Sequence, residues 1–195
     1  MAAYIARTPG IRDVILSGGD PLVLDDDRLI SLVELFHAIP HVDAVRIGTR
    51  IPVVLPMRVT AVLARRLAPF HKLWINTHFN HAREVTKDAA RACRRLAVAG
   101  IPLNNQAVLL RGVNDSVEAQ TDLSRALRRI RVRPYYLFQC DRVTGTSHFW
   151  TPLDRGTDVI RGMLGQIGGL YIPRFVLDTP TGKVPLMPPP PEPLP

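Results

Sequence analysis

Cysteine is nearly absent from these 195 residues: Cys93 and Cys140 are the only two. Two thiols cannot build the disulfide framework of a small secreted domain, and alone they are too few for a zinc or iron–sulfur site of ordinary design, so no metal site is expected. Lysine is almost as scarce. Of 25 basic residues only Lys72, Lys87 and Lys183 are lysines, so arginine carries the net charge of +8 and each lysine stands out. Aromatic residues make up 6% and do not interleave with the basic pairs Arg65-Arg66, Arg94-Arg95 and Arg128-Arg129. Those pairs fall inside helical patterns and read as solvated faces, so nucleic acid is not an expected partner; anionic small molecules match the charge equally well. No apolar run approaches membrane-spanning length, and the first residues lack the charged, apolar and small-residue zones of a signal peptide. The expectation is a cytoplasmic protein with no membrane partner.

What is present is an apolar fraction of 46%, enough for a real core and most simply one domain. Apolar runs of strand length recur at residues 13–17, 44–48, 73–77, 102–110, 134–139 and, more weakly, 174–178. Amphipathic segments of helical period lie between them, at 27–38, 60–68, 86–99, 116–130 and 154–164. This alternation predicts an α/β fold with a parallel sheet, open or barrel-like. Residues Asp25 to Asp27 and Thr86 read as helix starts, and Gly100 as a helix end. The domain is expected to span 1–187, with the proline-rich stretch 188–195 extended or disordered.

Polar residues gather where the predicted strands end. Ser17-Gly18-Gly19-Asp20-Pro21 places flexible backbone and a carboxylate at the carboxyl end of the first strand, where parallel α/β folds put their chemistry. Two glycines let backbone approach a bound group closely, and Asp20 can accept from an ammonium or a hydroxyl. Gly48-Thr49-Arg50, Asn76 through His81, Asn104-Asn105-Gln106 and Gln139-Cys140-Asp141 repeat the pattern on four further strands. A single such cluster would read as a turn; their repetition predicts a pocket.

In this order, the fragments Leu16 to Pro21, Arg46 to Arg50 with Pro52 to Pro56, Asn76 to His81, Asn105-Gln106 with Val108 to Asp115, Arg131 to Tyr136, Gln139 to Asp141, and Asp178 through Lys183 to Pro188 resemble lysine 2,3-aminomutases. These are radical S-adenosylmethionine enzymes that also use pyridoxal 5'-phosphate. The resemblance runs from about Tyr4 to Pro188 and implies a partial (β/α) barrel. It implies that Gly18, Gly19 and Asp20 hold the amino group of S-adenosylmethionine, and that Lys183 is the catalytic lysine that condenses with pyridoxal phosphate. Arg50, Asn105 and Gln106 would form the polar wall near the phosphate; Tyr135, His78 and Arg111 are further pocket residues without an assigned role. Asp141 and Asp178 would bind the distant ammonium of L-lysine. Two carboxylates hold one ammonium through charge-assisted hydrogen bonds and repel a substrate carboxylate, so they both select and exclude. The implied reaction is a radical 1,2-amino shift of L-lysine to β-lysine.

Two departures qualify the resemblance. The family's 4Fe-4S motif, C-x-x-x-C-x-x-C, is absent, so the barrel is expected to lack its first strand and cluster loop and the chain to be truncated on its amino side. A cysteine that some relatives use for zinc, after Asn-Asp, is Ser116 here, which puts zinc and the associated dimer contacts in doubt while leaving room for a homo-oligomer. The alternatives are a remnant that at most binds pyridoxal phosphate, a glutamate-acting relative, or one supplying β-lysine for modification of a translation factor.

Overall fold

Six apolar runs become parallel strands laid side by side in chain order: β1 (Asp13–Leu16), β2 (Ala44–Gly48), β3 (Leu73–Thr77), β4 (Leu103–Leu109), β5 (Arg133–Gln139) and β6 (Arg174–Thr179). A seventh strand, β7 (Gly182–Pro185), turns back antiparallel along β6. The computed structural model describes residues 1–187; the stretch 188–195, for which the sequence predicts an extended or disordered state, lies outside the described residues. Helix α1 (Ala2–Ala6) precedes β1, and α2 (Asp26–His37) crosses from β1 to β2. Helices α3 (Ile51–Val54) and α4 (Ala61–Leu67) connect β2 to β3, while α5 (Lys87–Val98), α6 (Val117–Arg129) and α7 (Leu153–Met163) make the remaining crossovers. Parallel neighbours require such crossovers, so the alternation read from the sequence is the topology itself.

Local chemistry sets where the helices begin. Asp25, Thr60, Thr86 and Ser116 each accept a hydrogen bond through a side-chain oxygen from the backbone N–H three residues on, starting α2, α4, α5 and α6. Each such cap contributes about 1 kcal/mol. No helix among the described residues is long and apolar enough to cross a membrane.

Alternation along the strands then divides the sheet into two faces. Val14, Leu16, Val45, Ile47, Leu73, Ile75, Leu103 and Leu109 are buried toward the helices, in one core with Leu29, Val33, Leu63, Leu96, Leu123 and Leu127. The residues between them form the inner face of a half-barrel, which is more open: Ile15 is 52% exposed and Trp74 38%. Among the described residues, β1 pairs on one side only. Helix α7 seats tightly on β6, because a Cβ at Gly156 would fall 2.1 Å from the Phe175 ring.

One irregularity shapes the inner face. Asn105 pairs with Pro134 but Gln106 with Tyr136, so Tyr135 is an extra residue in β5. The Tyr135 hydroxyl donates to that of Tyr136 at 3.0 Å, with the ring centroids 3.8 Å apart. Strand β7 is absent from the sequence-based expectation. Its four residues are all exposed and show no alternation, and only the hairpin to β6 makes them a strand.

Candidate active site

The turn after β1 is built around two left-handed residues, Gly18 at φ +93 and Gly19 at φ +54, a conformation that a Cβ would strain. No atom lies within 4 Å of where either Cβ would stand, so the turn faces open space. Asp20 fixes that turn to β2. Its Oδ1 accepts from the Leu22 N–H at 3.0 Å and from the Thr49 hydroxyl at 2.7 Å, and its Oδ2 accepts from the Arg50 N–H at 2.6 Å. A carboxylate has about four acceptor positions, so one remains on Oδ2 for a ligand donor.

From Arg50 the network runs on across the sheet. The Arg50 guanidinium donates to Glu84 Oε1 at 2.9 Å, and Glu84 Oε2 accepts from the backbone N–H groups of Asn80 and His81. Asn80 Oδ1 accepts from the Val108 N–H at 2.9 Å. Fully buried Asn114 donates to the carbonyls of Asn80 and Val108 and accepts from the Leu110 N–H. The sequence placed Asn80 in the polar end of β3 and Asn114 in a fragment of the resemblance, in neither case with a role, and missed Glu84; the one available signal was Glu84 three residues after His81, the spacing of a capping box.

His78 lies against this network with its Nε2 buried and without a protein partner. Burial holds its pKa below the ordinary histidine value, and the Arg50 charge adds to the effect; Glu84 and Asn80 oppose it.

Asn105, which the resemblance implies for the phosphate wall, lies buried behind the sheet. It pairs with Thr77 on the helix side of the sheet, where its Oδ1 accepts from the Phe79 N–H at 2.7 Å and its Nδ2 donates to the Phe79 carbonyl at 2.9 Å. It is 2% exposed, and its amide shapes the chain after β3 from behind. Gln106, next along β4, is half-buried on the inner face beside Tyr136.

The ends of β5 to β7 are looser. Asp141 is exposed and, with Arg142 and Trp150, lines a cavity of about 350 Å³ under the loop after β5. The Arg142 guanidinium stacks 3.7 Å from the Trp150 ring centroid. Asp178 and Lys183 are cross-strand partners in the β6–β7 hairpin, with Lys183 Nζ 3.5 Å from Asp178 Oδ2 and 5.4 Å from the Phe138 ring centroid. Among the described residues no hydrogen bond or ion pair joins Asp141 to Asp178, or either of them to Arg50. A larger groove of about 560 Å³, lined by Lys87, Arg125 and Arg129, involves α5 and α6 and none of these strand ends.

The residues present fit two of the three groups that the resemblance implies. A lysine amine beside an aromatic ring suits an aldehyde cofactor, and an open glycine turn with one free acceptor suits the ammonium of an amino acid. A 4Fe-4S cluster does not fit. Cys93 is buried in α5 with its thiol pushed up to about 12 by burial, and Cys140, also buried, has its thiol raised by burial and by Asp141. Among the described residues no three His, Cys, Asp or Glu side chains gather as a metal site.

No protein-family profile matches the chain. In three dimensions it is similar to a radical SAM methyltransferase from Sphaerobacter thermophilus, with a TM-score of 0.66 at 18% identity over 90% of this chain and 54% of that one. The fold is therefore the partial barrel of the radical SAM enzymes. In sequence it is 52% identical over 187 residues to the L-lysine 2,3-aminomutase of Fusobacterium nucleatum, covering 95% of this chain and 44% of that protein. It is 45% identical to the glutamate 2,3-aminomutase of Clostridioides difficile, again covering 95% of this chain and 44% of the relative. The chain is a partial homologue of the lysine 2,3-aminomutase family, spanning less than half the length of these relatives.

Proposed function

We propose that this chain forms the substrate- and cofactor-binding part of an aminomutase that shifts the amino group of L-lysine to the neighbouring carbon. The observation that carries the choice of lysine is the pair of aspartates, Asp141 and Asp178, at the ends of the adjacent strands β5 and β6. Their charge favours a side-chain ammonium and opposes a side-chain carboxylate, which separates this reading from that of a glutamate-acting relative.

In this reading the glycine turn binds the amino-acid end of S-adenosylmethionine through backbone groups of Gly18 and Gly19. Asp20 acts twice, holding Thr49 and Arg50 in place while keeping one acceptor for the ammonium. Lys183 presents its amine to the aldehyde of pyridoxal phosphate, and Phe138 offers a flat apolar surface beside it. Arg50 and Gln106 face the phosphate, while Asn105 supports the wall from behind. When bound, pyridoxal phosphate supplies a reactive aldehyde and a conjugated ring, and S-adenosylmethionine supplies the adenosyl group that gives the enzyme class its radical. The chain offers no ligand set for an iron–sulfur cluster, so no step through one is assigned to its residues.

The test is chemical trapping followed by a binding comparison. Pyridoxal phosphate reduced onto the protein with borohydride is expected to label the peptide containing Lys183, with Lys72 and Lys87 unlabelled at equal reagent. Titration with L-lysine and L-glutamate should then show a preference for lysine that disappears in the Asp141→Asn, Asp178→Asn double variant. Label spread evenly over the three lysines, or equal binding of the two amino acids, would sink the reading.

A further inference from the structure

We propose that Lys183 is the internal occupant of the cation site at Asp178, so that an alkylammonium ligand binds there by displacing the lysine. This rests on the reading of Asp178 as a ligand-ammonium site and adds a rival for that site within the chain. Register makes the two side chains neighbours: Asp178 and Lys183 are directly paired in the hairpin, on the inner face reached through Val176 and Phe138. Nζ stands 3.5 Å from Oδ2 and 5.4 Å from the centroid of the Phe138 ring. The side chains are 42% and 46% exposed, so the contact is weak and open to exchange.

A ligand alkylammonium and the lysine ammonium are the same chemical group, a compact cation with three N–H donors. The carboxylate and ring that hold one suit the other, yet two such cations within a few ångströms of each other repel. The two occupancies are therefore linked. Whatever draws Lys183 away opens Asp178, and an ammonium on Asp178 releases Lys183 by the same factor. An aldehyde ligand draws it away: Nζ sheds a proton to solvent, forms a C=N bond to the aldehyde carbon, and the carbonyl oxygen leaves as water. Recognition of an ammonium and capture of an aldehyde thus assist one another through one shared carboxylate.

The experiment uses the whole chain without aldehyde, and 1,5-diaminopentane as the probe, titrated by ligand-observed NMR. Lys183→Gln is expected to bind the probe roughly two- to fivefold more tightly than the unaltered chain, the scale of an exposed ion pair. Lys183→Arg keeps the cation and should show no gain, and Asp178→Asn should weaken binding in both backgrounds. Arg94→Gln removes an equal charge from an exposed position on α5 and measures the non-specific part. A gain in Lys183→Gln no larger than in Arg94→Gln, with Asp178→Asn still weakening binding, overturns the displacement and leaves Asp178 as an ammonium site. Indifference to Asp178→Asn overturns the reading of Asp178 and the displacement together.

Discussion

Asp20 and Glu84, in the segments after β1 and β3, have both carboxylate oxygens engaged by donors from their own segment and from Thr49 or Arg50 after β2, whereas Asp141 and Asp178, after β5 and on β6, stand exposed. The same side-chain chemistry does two kinds of work. On the first four strands it holds backbone in a fixed shape, a preorganised surface whose ordering is complete before any ligand arrives. On the last three it holds at most one exposed ion pair, that of Asp178 with Lys183, and can reorder when a ligand arrives. Residue type alone does not separate these uses; the number of internal donors each carboxylate already holds does.

The largest expected effect comes from Asn114→Ala, which strips an acceptor from the Leu110 N–H and donors from the carbonyls of Asn80 and Val108 at a fully buried position. Chemical denaturation should show a loss of about 3 kcal/mol. A loss below about 1 kcal/mol would break the contrast between a rigid and an adaptable half. Asp20→Ala removes one acceptor group from three donors and should cost about 2 kcal/mol, with calorimetric binding of S-adenosylmethionine falling alongside.

A smaller effect belongs to pH. The pKa of His78 lies below its unfolded value of about 6.5, so on acidification the unfolded chain takes up the proton first. Its contribution to stability is full above that value, falls as the pH drops through it, and levels off once the folded state also titrates. His78→Gln should flatten the decline between pH 7.5 and pH 5.5 in denaturation midpoints. The flattening will be partial, because burial, His71 and Lys72 hold the pKa of His37 low as well, with the same sign. The smallest effect is that of the Asp178→Asn, Lys183→Gln double variant, whose stability should stay within about 0.5 kcal/mol of the parent while the borohydride-fixed label is lost. A large loss would mean that the hairpin pair is a structural strut, and the two halves of the site would no longer differ in kind.

Much of the architecture was legible beforehand. Runs such as 13–17 and 44–48 become strands within a residue of the expectation, and Asp25 and Thr86 cap helices as their types suggest. The face that a polar residue occupies was not legible. Asn105 and Gln106 read alike as strand-end amides, yet register with Thr77 sends the first behind the sheet and leaves the second on the inner face. A shift of one residue exchanges the faces, and the extra Tyr135 in β5 shows that such shifts occur in this sheet. Lys183 was visible through the resemblance, with the scarcity of lysine adding weight, but its pairing with Asp178 depends on β7, a strand with no pattern to read. Glu84 was hidden for another reason: its role depends on Arg50, 34 positions away in sequence.

Neighbours in this sheet are also neighbours in the chain, from β1 through β7 without exception. A polypeptide leaving the ribosome can therefore dock each new strand on the one before it, and none must wait for a partner not yet synthesised. Each closure spans a single crossover rather than the whole chain, which shortens the time that unpaired strands spend exposed to other chains. The order that lines up the polar strand ends in space also sets an assembly schedule, with the β6–β7 hairpin, which carries Lys183, the last of these strands to be added.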